Sequence, residues 1–164
     1  MKFNLILILI FGIMLSFHTI NVRAATTTTT FAVTATVLTV CGVVATPLVF
    51  GNYNPSDTND LDAANIATVT CTVGTSYNLG LDAGTGAGAT VTTRKLTSGT
   101  DLLNYSLYQD PARTNIWGNT IGTNTLSATA GLVPTVHNVY GRIFKEQVIP
   151  AGIYTDTITV TITY

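Results

Sequence analysis

The sequence predicts an all-β domain built as a β-sandwich. Threonine is its most frequent residue and, together with valine, isoleucine and glycine, it suits strands and turns rather than helices. Hydrophobic residues recur with a period of two in several short segments, which is typical of half-buried strands. Turn-forming residues separate these segments, and no stretch sustains the period of a helix. Short strands at this spacing favour a sandwich.

The start of the chain, residues 1–24, is predicted to be a signal peptide. Lys2 precedes an apolar run from Leu5 to Phe17, and Ala24 ends a small-residue cleavage site. A run of about 13 residues is shorter than the roughly 20 that a membrane-spanning helix needs, which disfavours an uncleaved anchor. We therefore expect export of a mature chain of about 140 residues, the length of one domain.

Charge and cysteine content restrict the function classes. Without Lys2 and Arg23 the mature chain has five basic and eight acidic residues, and it has no basic patch, so we expect no nucleic-acid partner. Two cysteines, Cys41 and Cys71, remain. An even number in an exported chain indicates a disulfide, whereas a metal or redox pair would call for a C-x-x-C motif or a nearby histidine.

The mature chain opens on the threonine run 26–30, whose β-branched side chains favour an extended backbone over a flexible linker. A predicted strand follows, and the apolar positions change parity at Leu38, where a kink or a new strand is expected. One face of the predicted strand carries Phe31, Val33, Ala35 and Val37.

Further strands are predicted between turns and loops. The short apolar segment 47–53 leads into a loop at 54–62, and strands follow at 66–73, 77–81, 103–108 and 136–144, the last interrupted by Gly141. Val69, Cys71 and Val73 are predicted to share one face. The remaining turns are predicted at 84–88, 110–115 and 150–152, and 122–134 reads as loose and polar.

The segment 155–164 is the clearest strand in the sequence. Threonines occupy one face. The other face carries Ile158, Val160, Ile162 and Tyr164. After Asp156 the segment carries no charge. A long flat edge strand without charges to protect it tends to pair with another chain, so this segment points to assembly rather than catalysis.

No arrangement of residues indicates catalysis, a metal or a cofactor. His137 is the one histidine of the mature chain and alternates with apolar neighbours, so no catalytic triad can be built. Asp57, Asp60 and Asp62 lack the glycine and glutamate of a calcium loop. The alternate glycines of 84–88 precede no helix that could bind phosphate. We therefore expect that the protein is not an enzyme.

Six segments, taken in order, resemble the spore coat protein U domain family, which includes the subunits of archaic chaperone–usher pili. They are F-A-V-T-A-T-V (31–37), P-L-V-F-G-N-Y (47–53), V-T-C-T-V-G-T-S-Y (69–77), L-N-Y-S-L-Y-Q-D-P-A-R-T-N-I-W-G (103–118), V-Y-G-R-I (139–143) and P-A-G-I-Y-T-D-T-I-T-V-T-I-T-Y (150–164). The resemblance covers essentially the whole mature chain. It does not account for the threonine run.

The resemblance implies an incomplete immunoglobulin-like β-sandwich, completed by a donor strand from a neighbouring subunit. It implies a donor-strand extension at 25–37, with the apolar face of Phe31 to Val37 entering a neighbour's groove, and a pilin domain at 38–164. A periplasmic chaperone would pair with the C-terminal edge strand bearing Ile158 to Tyr164, and Cys41 and Cys71 would form the structural disulfide.

The implied function is that of a structural subunit of an archaic chaperone–usher pilus. Identical or related subunits would polymerise head to tail at an outer-membrane usher, after export through the periplasm, into a cell-surface filament for adhesion or biofilm formation. The alternative is a secreted coat or surface-binding domain that does not polymerise and that folds its N-terminal segment back as an ordinary strand.

Overall fold

The computed structural model describes residues 22–164, in which every regular element is a β-strand. Residues 1–21 of the predicted signal peptide lie outside the described residues. Residues 36–164 form one compact unit, to which the described residues 22–35 do not belong. The strands are β1 Cys41–Ala45, β2 Leu61–Cys71, β3 Ser76–Leu81, β4 Arg94–Ser98, β5 Asp101–Tyr108, β6 Leu126–Thr129, β7 Thr135–Ile143 and β8 Val160–Thr163.

The strands form two antiparallel sheets packed face to face. The larger sheet has the order β1-β2-β7-β5-β4, and the smaller has the order β6-β3-β8. Alternate side chains of both sheets point inward and form one core. The prediction of an all-β immunoglobulin-like sandwich is therefore confirmed. The apolar residues that are at most 2% exposed are Ala67, Val69, Tyr77, Leu79, Leu81, Trp117 and Ile143.

A disulfide joins two neighbouring strands, and a side-chain hydrogen bond joins the two sheets. Cys41 and Cys71 lie directly opposite each other in the β1–β2 pair and are joined by a disulfide. A loop of this size gains about 3–4 kcal/mol of stability in the chain-entropy model. Between the sheets, the Tyr77 hydroxyl and the His137 Nε2 lie 2.7 Å apart in a hydrogen bond. Both residues are therefore structural elements of the sandwich.

The structure corrects several predicted boundaries. The predicted strand 66–73 begins earlier, at Leu61, and ends at Cys71, because Gly74 turns the chain with φ of +82°. Val73 consequently does not share the buried face of Val69, and its side chain is 59% exposed. Two short strands, β4 and β6, were missing from the prediction because each carries a single large aliphatic side chain.

Gly141 does not interrupt its strand, contrary to the prediction. β7 runs without a break through this glycine, and its neighbours in β2 and β5 are Ala63 and Leu107. A Cβ atom at Gly141 would lie 2.7 Å from Cζ of Phe50 and 2.9 Å from Cδ1 of Leu48. The glycine therefore leaves room for these two side chains to pack on the sheet.

Within residues 22–164, the structure contains no helix of the length and hydrophobicity needed to cross a membrane.

Candidate functional site

The topology leaves two sheet edges beside each other. β1 is an edge of the five-stranded sheet and pairs with β2, while β8 is an edge of the three-stranded sheet and pairs with β3. β1 and β8 nevertheless contact each other across the sandwich. Among the described residues, no strand pairs with the outer side of β8. The backbone groups on this side are therefore available for another strand.

A groove lies between the end of β1, at Ala45, and the start of β8, at Val160, and reaches the core. Its inner part is a cleft of 390 Å³, and its lining includes Ala45 and Ile158. Its floor consists of core side chains from both sheets, Leu81, Leu107 and Val139. A sandwich whose core side chains line an open cleft resembles a sandwich with one strand missing.

The outer part of the groove is wider, with a volume of 820 Å³. It shares Leu48, Leu96 and Asp156 with the inner part, so the two parts are continuous. The segment 47–53 forms one wall without adopting a strand, and it was not predicted to line a site. Its alternating apolar residues were the signal for this role. The main apolar side chains of this part are Leu48, Phe50, Tyr53, Ile149 and Tyr154.

The C-terminal strand is shorter than predicted. β8 covers only Val160–Thr163, because the chain before it comes from the edge of β4 in the larger sheet. Thr155 exchanges two backbone hydrogen bonds with Thr97 at the edge of β4, and Thr159 contacts Asp82. The segment thus crosses from the larger sheet to the smaller one before β8 begins.

The predicted apolar face of this segment is present in part. Ile158, Val160 and Ile162 are half-buried and pack against the core, and the first two also line the groove. Tyr164 is 58% exposed, so it does not continue the buried row. The pairing of this edge with a chaperone remains a prediction.

A polar network lies beside the groove. The Tyr105 hydroxyl donates to Asp156 Oδ2 at 2.7 Å, and Thr85 donates to Asp156 Oδ1 through its backbone N–H and its hydroxyl, both at 2.8 Å. Burial raises the pKa of Tyr105, and the hydrogen bond to Asp156 raises it further, so the hydroxyl stays protonated. These bonds fix the carboxylate at the point where the two parts of the groove meet.

Next to this network, Arg94 is completely buried. Its guanidinium group donates to four backbone carbonyl oxygens at 2.7–3.1 Å. Burial lowers its pKa, and the negative charges nearby oppose that shift. Sequence reasoning missed this residue, because a lone arginine at the start of a polar strand resembles a surface residue. The acceptors belong to Leu81, Asp82, Val91 and Trp117.

The predicted donor residues lie in an N-terminal segment without regular secondary structure. The structure assigns no strand from residue 22 to residue 40. Phe31 and Val33 are 85% and 83% exposed, and Val37 is 81% exposed. Exposed aromatic and β-branched side chains in alternation leave an apolar face that is free to pair. Their role as a donor strand remains a prediction.

The three aspartates considered for a calcium loop form ion pairs and hydrogen bonds within the protein. Asp62 accepts hydrogen bonds from Arg142 at 2.8 and 2.9 Å, and these bonds, opposed by partial burial, lower its pKa. Asp60 also pairs with Arg142, at 3.4 Å. Asp57 is held by Asn54, 2.8 Å away. Within residues 22–164, no group of three acidic, histidine or cysteine side chains is placed to hold a metal ion.

Comparison with known proteins identifies the family. The model of the Spore Coat Protein U domain matches residues 27–161, which is most of the chain. The chain belongs to the spore coat protein U domain family. The family resemblance predicted from the sequence is thereby confirmed. Protein U of Myxococcus xanthus, a relative, is 36% identical over 126 residues, which correspond to 70% of each chain.

This family member is also similar to a chain in a solved structure from a pilus system. It is the crystal structure of the CsuC–CsuE chaperone–tip adhesion subunit pre-assembly complex from the archaic chaperone–usher Csu pili of Acinetobacter baumannii. One of its chains superimposes with a TM-score of 0.55 at 26% sequence identity. The match covers 79% of this chain and 40% of that chain, so this chain spans less than half of the other's length.

Proposed function

We propose that this chain is a structural subunit of a pilus of the archaic chaperone–usher type, and that it polymerises by donor-strand complementation. The main support for this proposal is the groove. β1 and β8 are neighbouring edges, and the cleft between them is lined by the core side chains Leu81, Leu107 and Val139. An added strand would pair with β8 through its backbone and bury one face of side chains. The similarity to the Csu complex supports the same conclusion.

The proposed occupant of the groove is the segment 25–37 of a neighbouring subunit. Seven residues from Phe31 to Val37 extend over about 24 Å, the length of a long strand. Phe31, Val33, Ala35 and Val37 would enter the groove, and the intervening alanine and threonines would face outward. Because each subunit gives one segment and receives another, the contact is heterologous and generates a filament.

The remaining partners follow from this arrangement. Before assembly, a periplasmic chaperone would pair with the edge formed by Ile158, Val160, Ile162 and Tyr164 and cover the groove. An outer-membrane usher would then exchange the chaperone for the next subunit. On this proposal, residues 1–24 direct export, residues 38–164 form the pilin domain, and the product is a cell-surface filament for adhesion or biofilm formation. No enzymatic activity is proposed.

The second candidate is a secreted coat domain that does not polymerise. The family description and the similarity to Protein U favour it. In that case the segment 25–37 would fold into the groove of its own chain, and nothing would be exchanged between subunits.

A peptide experiment tests the proposed occupant. The peptide of residues 25–37 is added to a chain that begins at Leu38, released from its chaperone. We expect the melting temperature to rise with peptide concentration, because a ligand that binds only the folded state stabilises it. The matched control is the same peptide with Phe31→Asp, which should give little or no rise. Equal melting curves with both peptides would argue against occupation of the groove.

A further inference from the structure

Five exposed aliphatic side chains gather at one end of the sandwich, where the disulfide lies. We call this surface the disulfide-end patch. The exposed fraction of its side chains ranges from 59% to 90%. Its members are Leu38, Val40, Val73, Leu132 and Val133.

Backbone hydrogen bonds hold the segments of this patch together. The Thr72 N–H donates to the Val40 carbonyl oxygen at 2.9 Å, and the Thr72 hydroxyl donates to the Leu38 carbonyl oxygen at 3.1 Å. On the other side, the Gly74 N–H donates to the Ala130 carbonyl oxygen at 2.9 Å. The connection from residue 130 to residue 134 then crosses between the sheets to reach β7. The patch is therefore a defined surface rather than a set of scattered residues.

The composition of the patch is typical of a contact surface. The segments 38–40, 72–75 and 130–134 contain no charged residue. A group of large apolar side chains that stays in water is unfavourable, and such groups mark sites of interaction. Because these segments carry no charge, no charged side chain within them would have to lose its water when a second apolar surface packs on the patch.

We propose that the disulfide-end patch of one copy of this chain packs against the mouth of the groove in the next copy of the filament. The inference rests on the proposed function and adds a contact between the folded bodies of consecutive subunits. The mouth is the outer part of the groove, and Val49 of its lining is 75% exposed. Val148 and Ile153 are 94% and 85% exposed and adjoin lining residues in the sequence, Ile149 for the first and Gly152 and Tyr154 for the second.

The direction of the strands places these two surfaces together when the donor strand adds antiparallel to β8, the arrangement of every strand pair in the two sheets. β8 runs towards the disulfide end, because Thr163 pairs with Asn78 near the start of β3, and Thr75, just before β3, is bonded to Ala130. A strand added antiparallel to β8 runs the opposite way and leaves the groove at its mouth.

The connection between donor segment and body is short. Only residues 38–40 separate Val37 from Cys41, where β1 begins. Val37 and Cys41 are four residues apart in the chain and can be separated by at most about 14 Å, so the body of the donating subunit must lie at the mouth of the accepting subunit's groove. Its nearest surface is the disulfide-end patch, which contains Leu38 and Val40 themselves.

The proposed contact depends on the short connection 38–40, which tethers the two bodies to each other. Two patches of a few aliphatic side chains bury far less area than a stable interface needs, so separate bodies would not associate through them. A short tether raises the effective concentration of one patch at the other to about the millimolar range. We therefore expect the contact to form only within the polymer, where it would restrict bending between neighbouring subunits.

Filament flexibility tests this inference. The variant combines Leu132→Asp with Val133→Asp, and the matched control is Ile121→Asp, an exposed aliphatic residue of the 119–124 loop outside both surfaces. We expect the double variant to polymerise, with a broader distribution of angles between consecutive subunits in electron micrographs and a lower dissociation temperature. The control should match the wild type. If the double variant fails to fold, Leu132→Ser replaces it with the same two readouts.

Proximity gives a second test. Val133→Cys combined with Ile153→Cys should form disulfides between consecutive subunits. After the polymer has been heated in denaturant above the dissociation temperature of the wild type, these disulfides should remain as a ladder on a non-reducing gel and disappear on reduction, whereas Val133→Cys with Ile121→Cys should leave no such ladder. Unchanged angles and dissociation temperature in the patch variant, or equal ladders from both cysteine pairs, would overturn the inference while leaving donor-strand assembly intact. Failure of the wild-type chain to polymerise would overturn the proposed function itself.

Discussion

Replacement of Phe31 by aspartate is expected to abolish polymer formation and to leave the subunit able to bind its chaperone. The floor of the groove is formed by core side chains such as Leu81 and Leu107, and a carboxylate there would lose its water without gaining a partner. Such a burial costs several kcal/mol, enough to lower the affinity of one subunit for the next by more than a hundredfold. Val33→Asp should have the same effect, because Val33 lies on the same face.

The matched control is Thr34→Asp, which introduces the same charge on the opposite face of the same segment. This variant should still polymerise, since its side chain would point to solvent. Polymer is measured by heat-resistant ladders on denaturing gels, and chaperone binding by co-purification from the periplasm. Normal ladders from both Phe31→Asp and Val33→Asp would exclude the segment as the donor strand.

The largest loss of stability within the folded domain is expected for Arg94→Met. The substitution removes the donors that serve the carbonyl oxygens of Leu81, Trp117 and two further residues. A buried acceptor left without a partner costs about 1–3 kcal/mol. Removal of a buried charge offsets part of this cost, because burial of the guanidinium group is itself unfavourable. We expect a net destabilisation of about 3 kcal/mol or more.

Denaturant unfolding of the purified chain measures this effect. The control is Lys95→Met at the next position, where the side chain is half-buried and its ammonium group makes one hydrogen bond, to the Ala87 carbonyl oxygen. Lys95→Met should change the free energy of unfolding by less than about 1 kcal/mol. If Arg94→Met unfolds at the same denaturant concentration as Lys95→Met, the buried guanidinium group is not needed to satisfy the carbonyl groups around it.

The strands that could be predicted from the sequence were those with a strong period of two. Tyr77, Leu79 and Leu81 alternate with polar or small residues, and all three are buried in β3 as predicted. The alternation of Ile158, Val160 and Ile162 also appears in the structure, although β8 is shorter than predicted. Here local pattern and tertiary packing agree, which is why the prediction succeeded.

Other features depend on partners that are distant in sequence. The continuous course of β7 through Gly141 depends on Phe50 and Leu48, about 90 residues earlier in the chain, which fill the space above the glycine. The burial of Arg94 depends on carbonyl groups from three separate segments. The groove itself arises because the order of strands places β1 next to β8. No short window of sequence contains this information.

The most direct test of the account compares the full mature chain with a chain that begins at Leu38, using size-exclusion chromatography with light scattering on periplasmic material. The account predicts heat-resistant polymers from the full chain, and only monomers or chaperone complexes from the shortened chain, because the latter keeps the groove but lacks the donor segment. Stable monomers from both chains would contradict it and would favour a coat domain that does not polymerise.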